Sequence, residues 1–595
     1  MLGECLEIFG GYTEEEREKN ILDGYIPKDG SYLLVGKNGE IISSTDIRLD
    51  KDTGEVSKNS PRYQDFCYFD YHSDLISMNK PQEPKKVIHS NNYLSFWIKK
   101  ESLSNGKLTR EVIDSYYDIL EHPERKYDKY AMPLYREFEK KFGEVDTDAV
   151  HKNRVWIQEH IFSIREMRPD IDWDKKEYLK IFFEADRADY KREGDRYFIP
   201  NIYNKNIYNV TIEGEIFGLP DNNQGMNDKK PFLSGKTRKN VAPYLLNQEM
   251  VMLQKQFFDY LMNFAAVRKC NIYVDMDKKQ FVPCKNDGYP EEPVSGFYLR
   301  IKKGKEVEIH DQDVVLFFEN RLKKPFVYKN MLGLEDDNNP RYEGDIRCDT
   351  RRELEELIDS TLFSKKLIDN YFSKEEDIKI PDAVIKRMLL LSRRNLFRWF
   401  HLGNEAGIKA MLDRISMELI KKSIADKNTL KAAKQLNMRW SLMRYLDEGG
   451  NDMADFSVNM REGLRDKLLS EKIQGLENDR EYYFAVGQMA GYLIFLSKAG
   501  KKKQSLINPF LNARTNEKLK ELLGKYYKKY NYDIPLGLKR VNRLYGMVEC
   551  YEPDGPVQQD MISAGFVMDN LLLEKQDKDT DMDKDLTKKE ENEDE

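Results

Sequence analysis

The sequence is short of the residues that build most metal and redox centres. Its 595 residues include six cysteines and seven histidines. Cys5, Cys67, Cys270, Cys284, Cys348 and Cys550 form no C-x-x-C pair, which argues against a zinc ribbon or a disulfide scaffold and for reduced thiols. Cys270 and Cys284 share an expected hairpin, Asn271 to Pro283, but two thiols without a second pair do not make a tetrahedral site. No G-x-S-x-G motif occurs. No apolar run approaches the roughly 20 residues a bilayer requires, and no basic stretch followed by an apolar one opens the chain as in a secretory signal. The expectation is a soluble, cytoplasmic protein with no membrane contact, no cofactor and no metal.

A large net charge is also missing. The formal charge is −7, and the segment from Glu574 onward alone holds 11 acidic and 5 basic residues, so the rest of the chain is near −1. That tail has almost no apolar residue and is expected to be disordered. A nearly neutral body with local basic clusters suits a protein that follows nucleic acid along defined tracks rather than coating it.

Against these absences stands a rich supply of apolar and aromatic residues, 35 of them Tyr. The stretch around which the chain is organised is EYYFAVGQMAGYLIFLSKAGKKKQSLINPFLNA, Glu481 to Ala513. Its run from Phe484 to Leu496 reads as a helix buried in protein. Gly487 and Gly491, four apart, share one face and let another backbone come close. Lys501, Lys502 and Lys503 follow and offer a cationic rim to an anion; a core helix with a solvated loop explains the same residues.

The expected fold is α+β, a mixed N-terminal α+β region followed by a C-terminal all-α helical bundle and the acidic tail. The expected divisions are 1–105 with β structure, 106–350 with a basic loop, 351–573 helical and 574–595 disordered. Ser31 to Val35 and Glu40 to Ser44 flank a Gly-rich turn and read as a hairpin. Tyr93 to Ile98 is strand-like, with Asn91 and Asn92 before it and Lys99 and Lys100 after it. Paired amides beside basic residues can read base edges, or simply form a polar turn. Between Asp228 and Asn240 lie Lys229, Lys230, Lys236, Arg238 and Lys239. Gly235-Lys236-Thr237 resembles a phosphate loop, but the glycine required five positions earlier is Lys230. Nucleotide hydrolysis is excluded there, and phosphate-backbone contact by these cations and Thr237 remains.

From about Thr350 the pattern is helical, with helices expected at 385–402, 405–424, 429–447, 455–473, 480–498, 516–531 and 558–573. Arg387, Arg394 and Arg398 fall on one face of the first. YYKKY from Tyr526 to Tyr530, with Lys528 and Lys529, and then Lys539 and Arg540, interleave rings and cations as a single-stranded nucleic acid site would. His310-Asp311 is the one His-Asp doublet and is expected at a strand end. A metal-dependent nuclease or phosphohydrolase built on it is an alternative, as is a helical scaffold that binds only proteins.

Several stretches together resemble one family, the large subunit of the type I-B CRISPR interference complex (Cascade). They are HSNNYLSFWIKKESL from His89, KKPFLSGKTRKNVAPYLL from Lys229, the Glu481–Ala513 segment, KYYKKYNYDIPLGLKRVNRLYGMVECYEP from Lys525 and SAGFVMDNLL from Ser563. The resemblance is one of overall texture, and none of the segments is a catalytic signature. It implies a non-catalytic subunit that contacts the CRISPR RNA 5′ handle, inspects the protospacer-adjacent motif of target double-stranded DNA and holds the unwound strands. Its partners would be backbone and small subunits, with cleavage left to a recruited helicase-nuclease. Some relatives carry a cysteine-pair zinc module, of which this chain keeps only Cys270 and Cys284. The resemblance further implies a small subunit translated internally from the same gene. Glu448-Gly449-Gly450 can be encoded as a ribosome-binding sequence ahead of a start at Met453, and the same residues can end a helix.

Overall fold

A computed structural model describes residues 1–50, 56, 61–75, 77–221, 245–304, 306–447, 457–472, 474–497, 504–534 and 538–574. The architecture is the expected one, an N-terminal α/β region followed by a C-terminal helical region. The chain divides into two units, Met1–Pro290 with Val294–Val315, and Glu291–Pro293 with Leu316–Glu595.

In the first unit, β1 (Gly30–Val35) and β2 (Ile41–Ile47) form the expected hairpin. β3 (Ser95–Lys99) and β4 (Tyr178–Phe183) complete a sheet in the order β2-β1-β4-β3. β1 and β4 are parallel, with Val35 opposite Phe183. Both are almost wholly buried, which is why SYLLV and YLKIFF read as apolar runs rather than alternations. Helices Tyr63–Tyr71, Arg110–Glu121, Thr147–His160 and Arg187–Phe198 supply Phe66, Tyr116, Ile157 and Tyr190 to the same core. The expected boundary at residue 105 is therefore corrected. β4 lies between β1 and β3, so residues on both sides of 105 share one sheet and one core.

A small sheet follows, β5 (Val210–Ile212), β6 (Glu215–Gly218) and β7 (Leu246–Asn247). The long helix that follows runs from Gln248 to Ala266; Leu246–Asn247 extends as β7, and Asn247 Oδ1 caps the helix by accepting from Met250 N at 3.0 Å. A second four-stranded sheet, β11-β10-β8-β9, comprises β8 (Asn271–Asp275), β9 (Gln280–Cys284), β10 (Val294–Lys303) and β11 (Val307–Phe318). Phe257 and Leu261 of the long helix meet Ile272, Val274 and Leu299 of that sheet. The division between units falls inside β11, not at residue 350 as expected, because β12 (Arg321–Tyr328) pairs with β13 (Ile346–Thr350) within the second unit.

The second unit is otherwise helical. Its helices are Arg351–Leu362, Ala383–Leu402, Ile408–Ala425, Thr429–Leu446, Ser457–Leu469, Asp479–Phe495, Asn516–Tyr530, Lys539–Cys550 and Gln559–Val567, with shorter turns between. Asp479–Phe495 is buried along nearly its whole length. Asn478 caps it through Glu481 N at 3.0 Å, and Glu481 pairs with Lys467 at 2.8 Å. Against it lies Gln559–Val567, which the two chains of backbone approach through paired glycines: a Cβ on Gly487 would lie 2.2 Å from Ile562 O, and one on Gly565 would lie 2.1 Å from Phe484 O. Gln488, the polar residue in the apolar run, is satisfied. Its Nε2 donates to Gly565 O at 2.5 Å, and its Oε1 accepts from Leu571 N at 2.8 Å. The helix expected to reach residue 573 ends at Val567 because the chain turns there, bringing Asn570 and Leu571 onto Gln488.

Candidate nucleic-acid interface

The helix Ala383–Leu402 begins where Asp382 Oδ1 accepts from Val384 N at 2.8 Å and Ile385 N at 3.0 Å. It ends at Gly403, whose φ of 70° is the left-handed cap conformation. Met388, Leu389, Leu396, Trp399 and Phe400 are buried. Arg387 and Arg394 are exposed and Arg398 is half-buried. Arg387 lies 4.0 Å from Glu418, a loose contact at an open surface. Arg393 turns inward and donates to Asn370 O at 2.9 Å and Ser373 O at 2.6 Å.

The helix Asn516–Tyr530 sorts rings from cations. Tyr526 donates to Leu506 O at 3.1 Å, Tyr527 stacks on Tyr545 at 4.2 Å, and Tyr530 is buried. These rings belong to the core and are corrected as stacking platforms; their hydrophobic faces are worth more inside. Lys528 and Lys529 remain exposed in the last turn, where the helix dipole favours cations. No carboxylate of the described residues lies within 4.0 Å of either lysine or of exposed Lys539. Close to them in sequence, outside the YYKKY run, Tyr532 is 64% exposed. Arg540 is half-buried. It donates to Leu571 O at 3.2 Å and Glu574 O at 2.8 Å, tying down the end of the described chain.

In the first unit the paired amides are structural. Asn92 is fully buried, donates to Tyr190 O at 2.9 Å and accepts from Leu94 N at 3.0 Å. Asn91 is buried and its backbone N–H donates to Ser73 O at 3.0 Å. Lys100 is also enclosed, donating to Asp172 O at 2.8 Å with Glu177 3.7 Å away. Burial lowers its pKa. Of these four, Lys99 is exposed. Asn92 satisfies backbone groups at the turn before β3 and Lys100 a loop carbonyl, and with Asn91 also buried these three are not presented to a base edge. Lys229, Lys230, Lys236, Thr237, Arg238, Lys239, Lys501, Lys502 and Lys503 lie outside the described residues, as do Met453 and residues 575–595.

His310 and Asp311 stand within β11 rather than at a strand end. His310 is exposed, with Nε2 2.9 Å from Glu308 Oε2. Cys284 is in register with Asn271 on the expected hairpin. Among the described residues no three His, Cys, Asp or Glu side chains converge on a metal-sized site.

Several perturbed groups surround Lys180, a cation inside the apolar β4 run. It is fully buried, pairs with Asp70 and sits 3.9 Å from the Trp97 ring centroid. Tyr25 donates to Asp70 at 2.8 Å. Desolvation lowers the pKa of Lys180 and raises that of Asp70. Nearby His89, 3.3 Å from the Tyr178 hydroxyl, is pushed down to about 4 by burial and by Lys28, Lys99 and Lys180. No described helix is long and apolar enough to cross a membrane. No protein-family model, curated protein or solved structure matches this chain.

Proposed function

We propose that this chain is the non-catalytic large subunit of a CRISPR RNA-guided DNA surveillance complex of type I-B. In this reading it recognises the protospacer-adjacent motif, contacts the CRISPR RNA 5′ handle, stabilises the opened DNA and leaves cleavage to a recruited helicase-nuclease in the cytoplasm. The sequence segments quoted above suggest the family. The observation that carries the nucleic-acid part is the outward set of Arg387 and Arg394, and of Lys528, Lys529, Tyr532 and Lys539, over helices whose apolar faces are buried. Cations held outward on helices, with an exposed ring near some of them in sequence, suit a phosphate track and an unstacked base. Base pairing by the guide would then read the sequence while protein holds backbone.

An internal start at Met453 would yield a product built around Asp479–Phe495. That core also draws on Ile420, Ile424, Leu436 and Trp440, all upstream of Met453, and Trp440 Nε1 donates to Asp560 at 3.0 Å. The short product would expose the face these residues cover and would require another helical surface there. The test of the whole reading is purification of the tagged chain from its native cell, with bound RNA sequenced and bound proteins weighed. Uniform repeat-spacer RNAs with several partner subunits support it. Recovery of the chain alone, free of RNA, overturns it.

A further inference from the structure

The parallel strands β1 and β4 end side by side, at Val35 and Phe183, and a cleft of about 590 Å³ opens beyond them. Crevices at the carboxyl ends of parallel strands are where open α/β sheets bind ligands, and this volume falls within the usual range of about 300–1,000 Å³. One wall is the helix Thr147–His160, which turns Lys152, Asn153, Trp156 and His160 toward it at helical spacing. The opposite wall carries Glu184, Asp189 and Arg192.

The polar groups left over in this cleft are mostly acceptors. Asn153 is 7% exposed; its Nδ2 donates to Tyr93 O at 3.1 Å, and its Oδ1 takes no hydrogen bond from the described residues. His160 Nδ1 is 2.7 Å from Trp156 O, and a carbonyl only accepts, so Nδ1 holds the proton and Nε2 of the neutral ring is an acceptor. The ring stacks on Trp156 at 4.5 Å and 18°, and the residue is half-exposed. Glu184 uses one oxygen on Lys37 N at 3.1 Å, and Glu159 is exposed at the rim. Of the three cations, Lys37 is exposed with no carboxylate within 4.0 Å among the described residues, and the other two are engaged. Arg192 pairs with Asp189 at 2.9 Å and Glu193 at 2.8 Å, and Lys152 donates to Lys37 O at 2.9 Å.

We infer that this cleft binds a guanidinium group, the arginine side chain of a partner protein. A guanidinium has five donors and no acceptor, is planar and stacks on rings. Asn153 Oδ1, His160 Nε2 and the Glu184 and Glu159 carboxylates accept those donors while the His160 ring offers a stacking face. A phosphate would meet four carboxylates here, from Asp146, Glu159, Glu184 and Asp189, against three cations, of which Arg192 is already paired and Lys152 already hydrogen-bonded. The cleft exceeds one side chain and leaves room for flanking peptide. The inference does not depend on the nucleic-acid reading, which rests on the other unit.

The test is calorimetric titration of the full chain with agmatine, with an arginine-centred tetrapeptide, with its citrulline and lysine counterparts, and with a nucleoside monophosphate. The expected result is 1:1 binding of agmatine, at least tenfold tighter binding of the arginine peptide, and at least tenfold loss with citrulline. The E159Q/E184Q variant, which keeps both side chains' size, should lose at least tenfold in affinity with an unchanged melting profile. Agmatine binding as tight as the peptide's would assign the cleft to a free guanidinium compound and overturn the protein partner. Preference for the nucleotide, equal binding of citrulline, or no heat with either guanidinium ligand overturns the inference altogether.

Discussion

Replacing Gly487 with Ala tests whether the helix crossing at the centre of the second unit is set by backbone contact. The added Cβ would meet Ile562 O at 2.2 Å and Gly565 Cα at 3.0 Å. Ordinary contact starts near 3.4 Å, so the helices must part by roughly 1 Å, and no rotamer change can relieve a clash with backbone. Overpacking of this kind costs about 1–3 kcal/mol, and the absence of a side-chain escape places it near 3. Alanine returns about 1 kcal/mol in helix propensity over glycine. The net loss is about 2 kcal/mol, which corresponds to roughly 30-fold faster exchange for globally protected amides. Hydrogen–deuterium exchange of the Asp479–Phe495 amides reads this directly. Gly546→Ala is the control, since nothing lies within 4 Å of its added Cβ, and protection there should rise by the propensity term alone. Unchanged or slower exchange in Gly487→Ala would refute the argument that glycine is required for the crossing.

Three further outcomes are expected. Lys180→Met leaves Asp70 buried without its cation and should destabilise the first unit by about 3–5 kcal/mol, measured by denaturant titration; a loss below 1 kcal/mol would mean that Tyr25 and solvent suffice for Asp70. His89, held near pKa 4 by burial, binds fewer protons folded than unfolded between that value and its ordinary pKa of about 6.5. Its neutral form therefore supports folding above pH 6.5, and that support is lost as pH falls toward 4, by about 2 kcal/mol at pH 5; His89→Gln should flatten this part of the pH profile, and an unaltered profile would exclude His89 as its source. Charge reversal of Lys528, Lys529 and Lys539 together should weaken single-stranded nucleic-acid binding and reduce the salt slope by about 2, at roughly 0.7 per phosphate contact. An unchanged slope would remove these lysines from the interface.

Much of the fold is legible because periodicity and turn chemistry are local. The β1–β2 hairpin follows from its Gly-rich turn, and the helices of the second unit follow from their apolar spacing and caps such as Asp382 and Asn478. The burial of Asp479–Phe495 is equally local, since an apolar run of that length has no other stable place in water. Tertiary structure decided the rest. Insertion of β4 between β1 and β3 is a pairing between residues far apart in sequence, and it abolishes the boundary expected at 105. It also encloses Lys180 and pairs it with Asp70 from a distant helix. Asn92 and Lys100 show the same limit from the other side. Their residue types suit nucleic acid, but unpaired backbone groups in the folded turn and loop claimed them first. Whether a lysine or an amide faces solvent or the interior is a property of the whole surrounding shell, and sequence neighbours do not specify that shell.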